Sequence, residues 1–323
     1  MALKRPWYGR LLTACTIALV ALTAAACGGS ADEIAKNSDG DLVVKVGLIP
    51  ITGAAGFEIA ESEGFFKDEG LASEPVNLRT PADGVPNLLN GKTNLGALNV
   101  GNLAQATSEG VDLKIIGTTY YANDDMSIFT MKDSGIEEPR DLEGKKIGLV
   151  QLKNSNHAAL LDWLEQRDVD TKKIEFVLVP VTDMPAALRS GQVDAGQVLY
   201  PLAQTMVKET NAIVPNLLES LGERPVQGYT IVSGAFAKKH PDVVVKMQAA
   251  LEKANDLLVR DPELMITAVN TLTDVPVDLL RASKLPAFGN DLKLESSQKQ
   301  VDLMVKHGFL SESVDLSTLV FKK

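Results

Sequence analysis

Five consecutive residues, Lys153-Asn154-Ser155-Asn156-His157, bring an ammonium, two carboxamides, a hydroxyl and an imidazole together between the apolar run KIGLV (146–150) and a helical pattern. Backbone N–H groups at such a helix start, at the positive end of its dipole, suit an anionic head group, and Lys153 adds a full charge if it points inward. Asn99 and Asn102 follow another strand-like run, and Thr52 and Phe57 flank a GAAG loop open to backbone contact. Tyr120, Tyr121 and Tyr200 can stack on a planar or apolar ligand with a hydroxyl to spare. Gln197 completes the candidate set. This chemistry is that of holding a solute. Each residue also has a plainer role open to it: turn or capping chemistry for the asparagines, helix-start packing for His157, hinge packing for the tyrosines and a core-facing strand position for Gln197.

Bond-breaking chemistry has no comparable support. There is no G-x-x-x-x-G-K-[ST] loop, no G-x-G-x-x-G after a strand and no G-x-S-x-G elbow. His157, His240 and His307 are too scattered to read as a metal site, and Asp124 with Asp125 reads first as a solvated or capping pair. No catalytic residue, metal or cofactor is expected.

Composition narrows the setting. Lys4, Arg5 and Arg10 precede an apolar or small run from Leu11 to Ala26 that ends in LTAAAC and is followed by GGS. This pattern is a secretory leader ending in a lipobox, with Cys27 as the acylated residue, and the run is too short for a spanning helix. Cys15 lies inside the leader, so no intramolecular disulfide is expected. Taking the three leader cations from the 32 basic residues leaves 29 against 42 acidic ones, a formal net charge of −13. Such a surface repels phosphate backbones, which argues against nucleic acid as a partner. The 323 residues, 45% of them hydrophobic, support a sizeable core and two domains.

Two stretches of the chain repeat one another. LLNGKTNLG (88–96) and LRSGQVDAG (188–196) share Leu88/Leu188, Gly91/Gly191 and Gly96/Gly196 at an offset of 100, with Asn94 facing Asp194. Around each phrase the same order recurs of strand, helix, strand, short helix and strand, starting at LVVKVGLIP (42–50) and at KIGLV. The glycines after each short helix relieve the left-handed turn there, and those inside the strands mark close packing. The expected fold is therefore α/β: two Rossmann-like lobes of similar build, joined by two crossing strands. One crossing is expected around Tyr120 to Asp125 and the return in QGYTIVSGAFAKKHP (227–241). The chain divides into a leader (1–27), a flexible tether (28–41), lobe I (42–124), lobe II (125–225) and a return to lobe I with C-terminal helices (226–323). Trp163 is expected to pack its helix onto the sheet. Ligands of such sheets lie beyond the carboxyl ends of the strands, where the loops 52–57, 99–102 and 153–157 and Tyr200 would converge.

The phrases AESEGFFKDEG, LLNGKTNLGALNVGNLAQATSEG, IFTMKDSGIEEPRDLEGKKIGLV, LRSGQVDAG and HPDVVVKMQAALEKA resemble the solute-binding proteins of ABC importers for sulfonates, nitrate and taurine, together with relatives that bind pyrimidine precursors of thiamine. The resemblance implies a type II periplasmic-binding fold that closes on its ligand. It also implies a membrane permease and an ATPase as partners, a monomer, and a place at the outer face of the cytoplasmic membrane through the lipid anchor. Ser155 and His157 match the family's pattern after the strand KIGLV, while Asn154 stands where a glycine is common. The favoured ligand is a small organic anion such as a sulfonate or taurine. The alternatives are a thiamine-precursor pyrimidine or other aromatic heterocycle, or a surface sensor with the same cleft. An enzymatic relative of this fold carries a cysteine-rich motif that is absent after Cys27.

Overall fold

The computed structural model describes residues 34–49, 51–78, 83–273 and 275–323. The leader, the lipobox cysteine and the first part of the tether lie outside the described residues. Among those described, no helix is long and apolar enough to cross a membrane.

The first lobe opens with β1 (Leu42–Leu48), α1 (Ala55–Ser62), α2 (Phe65–Asp68), β2 (Leu71–Asn77), α3 (Gly84–Leu89), β3 (Gly96–Asn99), α4 (Val100–Ser108) and β4 (Leu113–Tyr121). The second holds β5 (Ile128–Met131), β6 (Lys146–Leu149), α5 (Ser155–Glu165), β7 (Glu175–Leu178), α6 (Met184–Arg189), β8 (Ala195–Gln197), α7 (Leu202–Met206) and β9 (Thr210–Val214). The chain then returns through β10 (Val226–Ser233) and finishes with α8 (Gly234–Lys239), α9 (Pro241–Arg260), α10 (Pro262–Thr273), α11 (Val277–Ala282) and α12 (Leu294–Lys306).

The second sheet runs β7-β6-β8-β5-β9, with β5 antiparallel to both neighbours. In the first lobe β1 pairs β2 in parallel, a parallel bridge between Val46 and Leu95 brings β3 alongside, and β10 lies antiparallel between β3 and β4. The first lobe therefore reads β2-β1-β3-β10-β4, the same order and directions as the second. In each lobe the strand inserted antiparallel is the one that has just crossed from the other.

The repeated phrase makes the same clasp twice. Asn94 Oδ1 accepts the Lys45 amide at 2.8 Å and Asn94 N–H donates to the Lys45 carbonyl at 2.8 Å. Asp194 Oδ2 accepts the Lys146 amide at 2.8 Å and its own N–H donates to the Lys146 carbonyl at 2.9 Å. Gly91 and Gly191 have φ of +70° and +71°, the left-handed stop after a helix that favours glycine. A Cβ on Gly96 would touch Leu88, and one on Gly196 would meet Met184 and Leu188, so each short helix lies directly on its strand.

The polar stretch expected to be a tether is structured in its described part. Val43 N–H donates to Ala35 O at 2.8 Å, Asn37 Oδ1 accepts from Asp39 and Asp41 amides, and Ile34 packs on the core beneath β1. Ile34 and the Asn37 turn, short as they are, supply the apolar anchor and local hydrogen bonds that hold 34–41 against the lobe. Trp163 packs into the second lobe's core, as expected.

The two crossings run side by side. Ala122 N–H donates to Pro225 O at 2.9 Å, Leu217 N–H to Met126 O at 3.0 Å, and Ser127 Oγ to Pro215 O at 2.7 Å. Asp124 and Asp125 divide at this hinge. Asp124 is exposed and accepts Asn216 Nδ2 at 2.7 Å, whereas Asp125 is 7% exposed and its Oδ1 accepts the Asn123 amide at 2.8 Å. A solvated reading holds for the first only; burial pushes the Asp125 carboxyl above its ordinary range.

Candidate ligand-binding cleft

Beyond the carboxyl ends of β1 and β3 lies a cavity of about 130 Å³. Leu48, Ile49, Ile51, Phe57, Leu78 and Leu98 make most of its wall apolar, and Asn99, Asn102, Thr119, Tyr120 and Gln227 supply its polar atoms. Among the described residues no Lys, Arg, Asp or Glu lines it. Tyr120 leans over the 52–54 turn so closely that a Cβ on Gly53 would lie 2.5 Å from its ring. The same ring packs on the apolar cores of both lobes, which places it at their junction. Burial, with the charge of Asp125 adding to it, holds the hydroxyls of Tyr120 and Tyr200 above the ordinary tyrosine range.

Two helices from different lobes meet at the edge of this cavity. Asn99 caps α4, its Oδ1 accepting the Asn102 amide at 2.7 Å, and Asn154 caps α5, its Oδ1 accepting the His157 amide at 2.9 Å. Cap oxygens of this kind satisfy N–H groups that have no partner within the helix. Each cap keeps its NH2 free for other work, and both reach one atom: Gln151 Oε1 accepts Asn99 Nδ2 at 3.3 Å and Asn154 Nδ2 at 3.2 Å. Gln151 Nε2 donates in turn to Asn102 Oδ1 at 2.9 Å. A Cβ on Gly101 would sit 2.6 Å from the Ser155 amide nitrogen, so the two helix starts touch through a glycine.

Of the sequence candidates, Phe57, Asn99, Asn102 and Tyr120 line the cavity, and Thr52 sits in the turn that borders it. Asn154 and Ser155 stand at the helix junction. Asn156 lies in the first turn of α5, half-buried, with its Oδ1 lacking a partner among the described residues. Tyr200 is half-buried past the end of β8, edge-on to Phe129 at 6.4 Å, and Gln197 is buried in β8 with Oε1 3.4 Å from the Val150 amide. Lys153 is exposed in a left-handed turn (φ +57°).

Two candidates face elsewhere. Tyr121 is 5% exposed and turned into the first lobe, where its hydroxyl donates to Asp291 O at 2.8 Å; successive strand residues point to opposite faces, so Tyr120 and Tyr121 cannot share the cleft. His157 is 7% exposed, its ring 4.6 Å from that of Phe176 and 5.0 Å from that of Phe309, and its Nδ1 accepts the Lys153 amide at 3.1 Å. Burial, aided by His307 and Lys153, lowers its pKa to about 4, so it is a neutral packing residue.

Sequence reasoning missed Gln151 and Gln227. Gln227 is 2% exposed, lines the cavity, and its Nε2 has no hydrogen-bond partner among the described residues. A signal was present, since Gln227 opens the return phrase QGYTIV, and in the structure it precedes Gly228, which pairs with Tyr120.

Residues 51–264 match the family described as NMT1/THI5 like. The chain belongs to the NMT1/THI5-like family. The taurine-binding periplasmic protein of Escherichia coli is 24% identical to this chain over 218 residues, covering 67% of this chain and 67% of that protein. A putative aliphatic sulfonates-binding protein of Bacillus subtilis is 24% identical over 201 residues, 61% of this chain and 60% of its own length. The solved structure of the alkanesulfonate-binding protein SsuA from Xanthomonas axonopodis pv. citri, bound to MOPS, shares the fold with a TM-score of 0.70 at 19% identity, covering 90% of this chain and all of that one. The NMT1/THI5-like chain thus has the two lobes that its repeated phrases implied, in the periplasmic-binding architecture that the family resemblance implied.

Proposed function

We propose that this protein is the extracytoplasmic solute receptor of an ABC importer, capturing a small organic anion of the sulfonate class between its lobes and passing it to a membrane permease driven by an ATPase. The observation that carries the ligand class is the mixed wall of the cavity. A pocket whose described lining is mostly apolar and carries no charged side chain fits the hydrocarbon part of an organic solute, and the nearby amides and helix starts suit an oxyanion head. An inorganic anion such as nitrate would leave the apolar wall unused. Two curated relatives are named for taurine and aliphatic sulfonates and one solved neighbour for alkanesulfonate, which supports the same class, while another solved neighbour is named for nitrate. Function follows from lobe closure, since a solute touching both lobes favours the closed arrangement. In this reading the chain is a monomer without catalytic activity, held to the membrane by acylated Cys27.

Thermal unfolding of the lipid-free body against alkanesulfonates, taurine, nitrate, aromatic carboxylates and aminopyrimidines tests the reading. Ligand at about 100 times its Kd stabilises the native state by roughly 2.7 kcal/mol. A shift confined to sulfonates supports the proposal, and a shift confined to aminopyrimidines replaces it with the heterocycle reading.

A further inference from the structure

We propose that Gln151 is a specificity-determining residue of the cleft: its carboxamide holds, in the ligand-free protein, the donors that a solute's oxyanion head takes over. The inference rests on the solute-receptor reading above and adds to it a named residue and a rule of selection. Gln151 follows β6 in the second lobe, and two of its three partners, Asn99 and Asn102, belong to the first. Its side chain is therefore a direct polar link between the lobes at the edge of the cavity that Asn99 and Asn102 line.

The geometry of the caps explains why a ligand competes for this position. Asn99 and Asn154 are each fixed by a bond from a helix amide to Oδ1, so neither NH2 can turn away without uncapping its helix. Both NH2 groups converge on one acceptor, Gln151 Oε1. A sulfonate or carboxylate oxygen brings charge to the same donors, and charge-assisted hydrogen bonds are roughly twice as strong as neutral ones. Gln151 is neutral and solvent-reachable enough to yield. A head group that only donates, such as an ammonium, finds Asn102 Oδ1 there but leaves the two converging NH2 groups without an acceptor, and is disfavoured.

Two variants, Gln151→Ala and Gln151→Glu, decide the matter, with ligand-free lobe separation read by small-angle scattering and alkanesulfonate affinity read by calorimetry. Gln151→Ala is expected to enlarge the ligand-free radius of gyration and to bind the alkanesulfonate as tightly as the parent or several-fold tighter, because the internal competitor is gone. Gln151→Glu is expected to stay compact and to bind at least tenfold more weakly, because its carboxylate keeps the donors and repels the anion. A Gln151→Ala protein as compact as the parent overturns the proposal, and so does one that binds the alkanesulfonate more weakly. If the parent binds no alkanesulfonate, the sulfonate reading fails, while the ligand-free dimensions of Gln151→Ala still decide whether Gln151 holds the lobes together.

Discussion

A buried donor without a partner is costly, and Gln227 Nε2, set in the wall of the cavity, has none among the described residues. Leaving such a group unpaired costs about 1–3 kcal/mol, which a solute carrying an acceptor recovers. Gln227→Leu is therefore expected to raise the urea midpoint of the ligand-free protein and to weaken solute binding tenfold or more. Equal affinity for parent and variant in calorimetry would remove Gln227 from the contact set. His157 makes a second prediction at this scale. An unfolded imidazole titrates near 6.5, whereas the folded one titrates at about 4. Between those values the unfolded chain holds the extra proton, so the contribution of His157 is complete above pH about 6.5, falls as the pH drops toward 4, and is level below that. The span is on the order of 3 kcal/mol. Asp125, with its carboxyl raised by burial, acts with the opposite sign, losing stability as pH rises. The difference between His157→Phe and the parent isolates the imidazole. Phenylalanine keeps the packing against Phe176 and Phe309, and its stability profile from pH 4 to 7 is expected to be flatter.

Among the secondary-structure elements, α4 and α5 control how far the lobes approach. Gly101 is inside α4, where alanine normally gains up to about 1 kcal/mol of helix stability. Here the added Cβ would meet the Ser155 nitrogen at 2.6 Å and Met304 Sδ at 3.1 Å. Gly101→Ala is thus expected to wedge the two helix starts apart, enlarging the radius of gyration with solute bound and lowering affinity, while helix content stays level or rises. A variant that closes normally would show that the contact has slack. The repeat of strand, helix and clasp was legible because its causes are local: a left-handed turn wants glycine, and a short helix lying on a strand wants a missing Cβ below Leu88 or Leu188. Strand periodicity could also have separated Tyr120 from Tyr121, since neighbours on β4 face opposite ways. Gln151 was not legible, because its role depends on where another lobe's Asn99 and Asn102 arrive, and no spacing within QLKNSNH (151–157) encodes that meeting.

For the molecule as a whole, the C-terminal helix decides whether two lobes behave as one. By chain order α12 belongs with the first lobe, yet its Val301 and Met304 share an apolar cluster with Ala158 of α5, and Leu303 packs on the second lobe's core. Lys306 at its end bonds Asp162 Oδ1 at 2.6 Å and Glu165 Oε2 at 3.0 Å, both on α5. The Asp162 side chain is only 10% exposed and keeps one other partner, Gln166, so removing the cation leaves a largely desolvated carboxylate underpaired. Half of Lys306 is in water, which limits the expected loss in Lys306→Met to about 1–2 kcal/mol. The exposed pair of Arg281 and Glu263, both more than half exposed and joined within one lobe, provides the comparison, and Arg281→Met is expected to cost less than Lys306→Met because solvent screens the pair. Urea unfolding of both variants checks the difference. A larger midpoint shift for Lys306→Met means that the lobes are joined energetically behind the hinge as well as through it. Equal shifts would leave the crossing segments, the Gln151 link, the α4–α5 contact and the apolar face of α12 to carry that coupling without the Lys306 ion pairs.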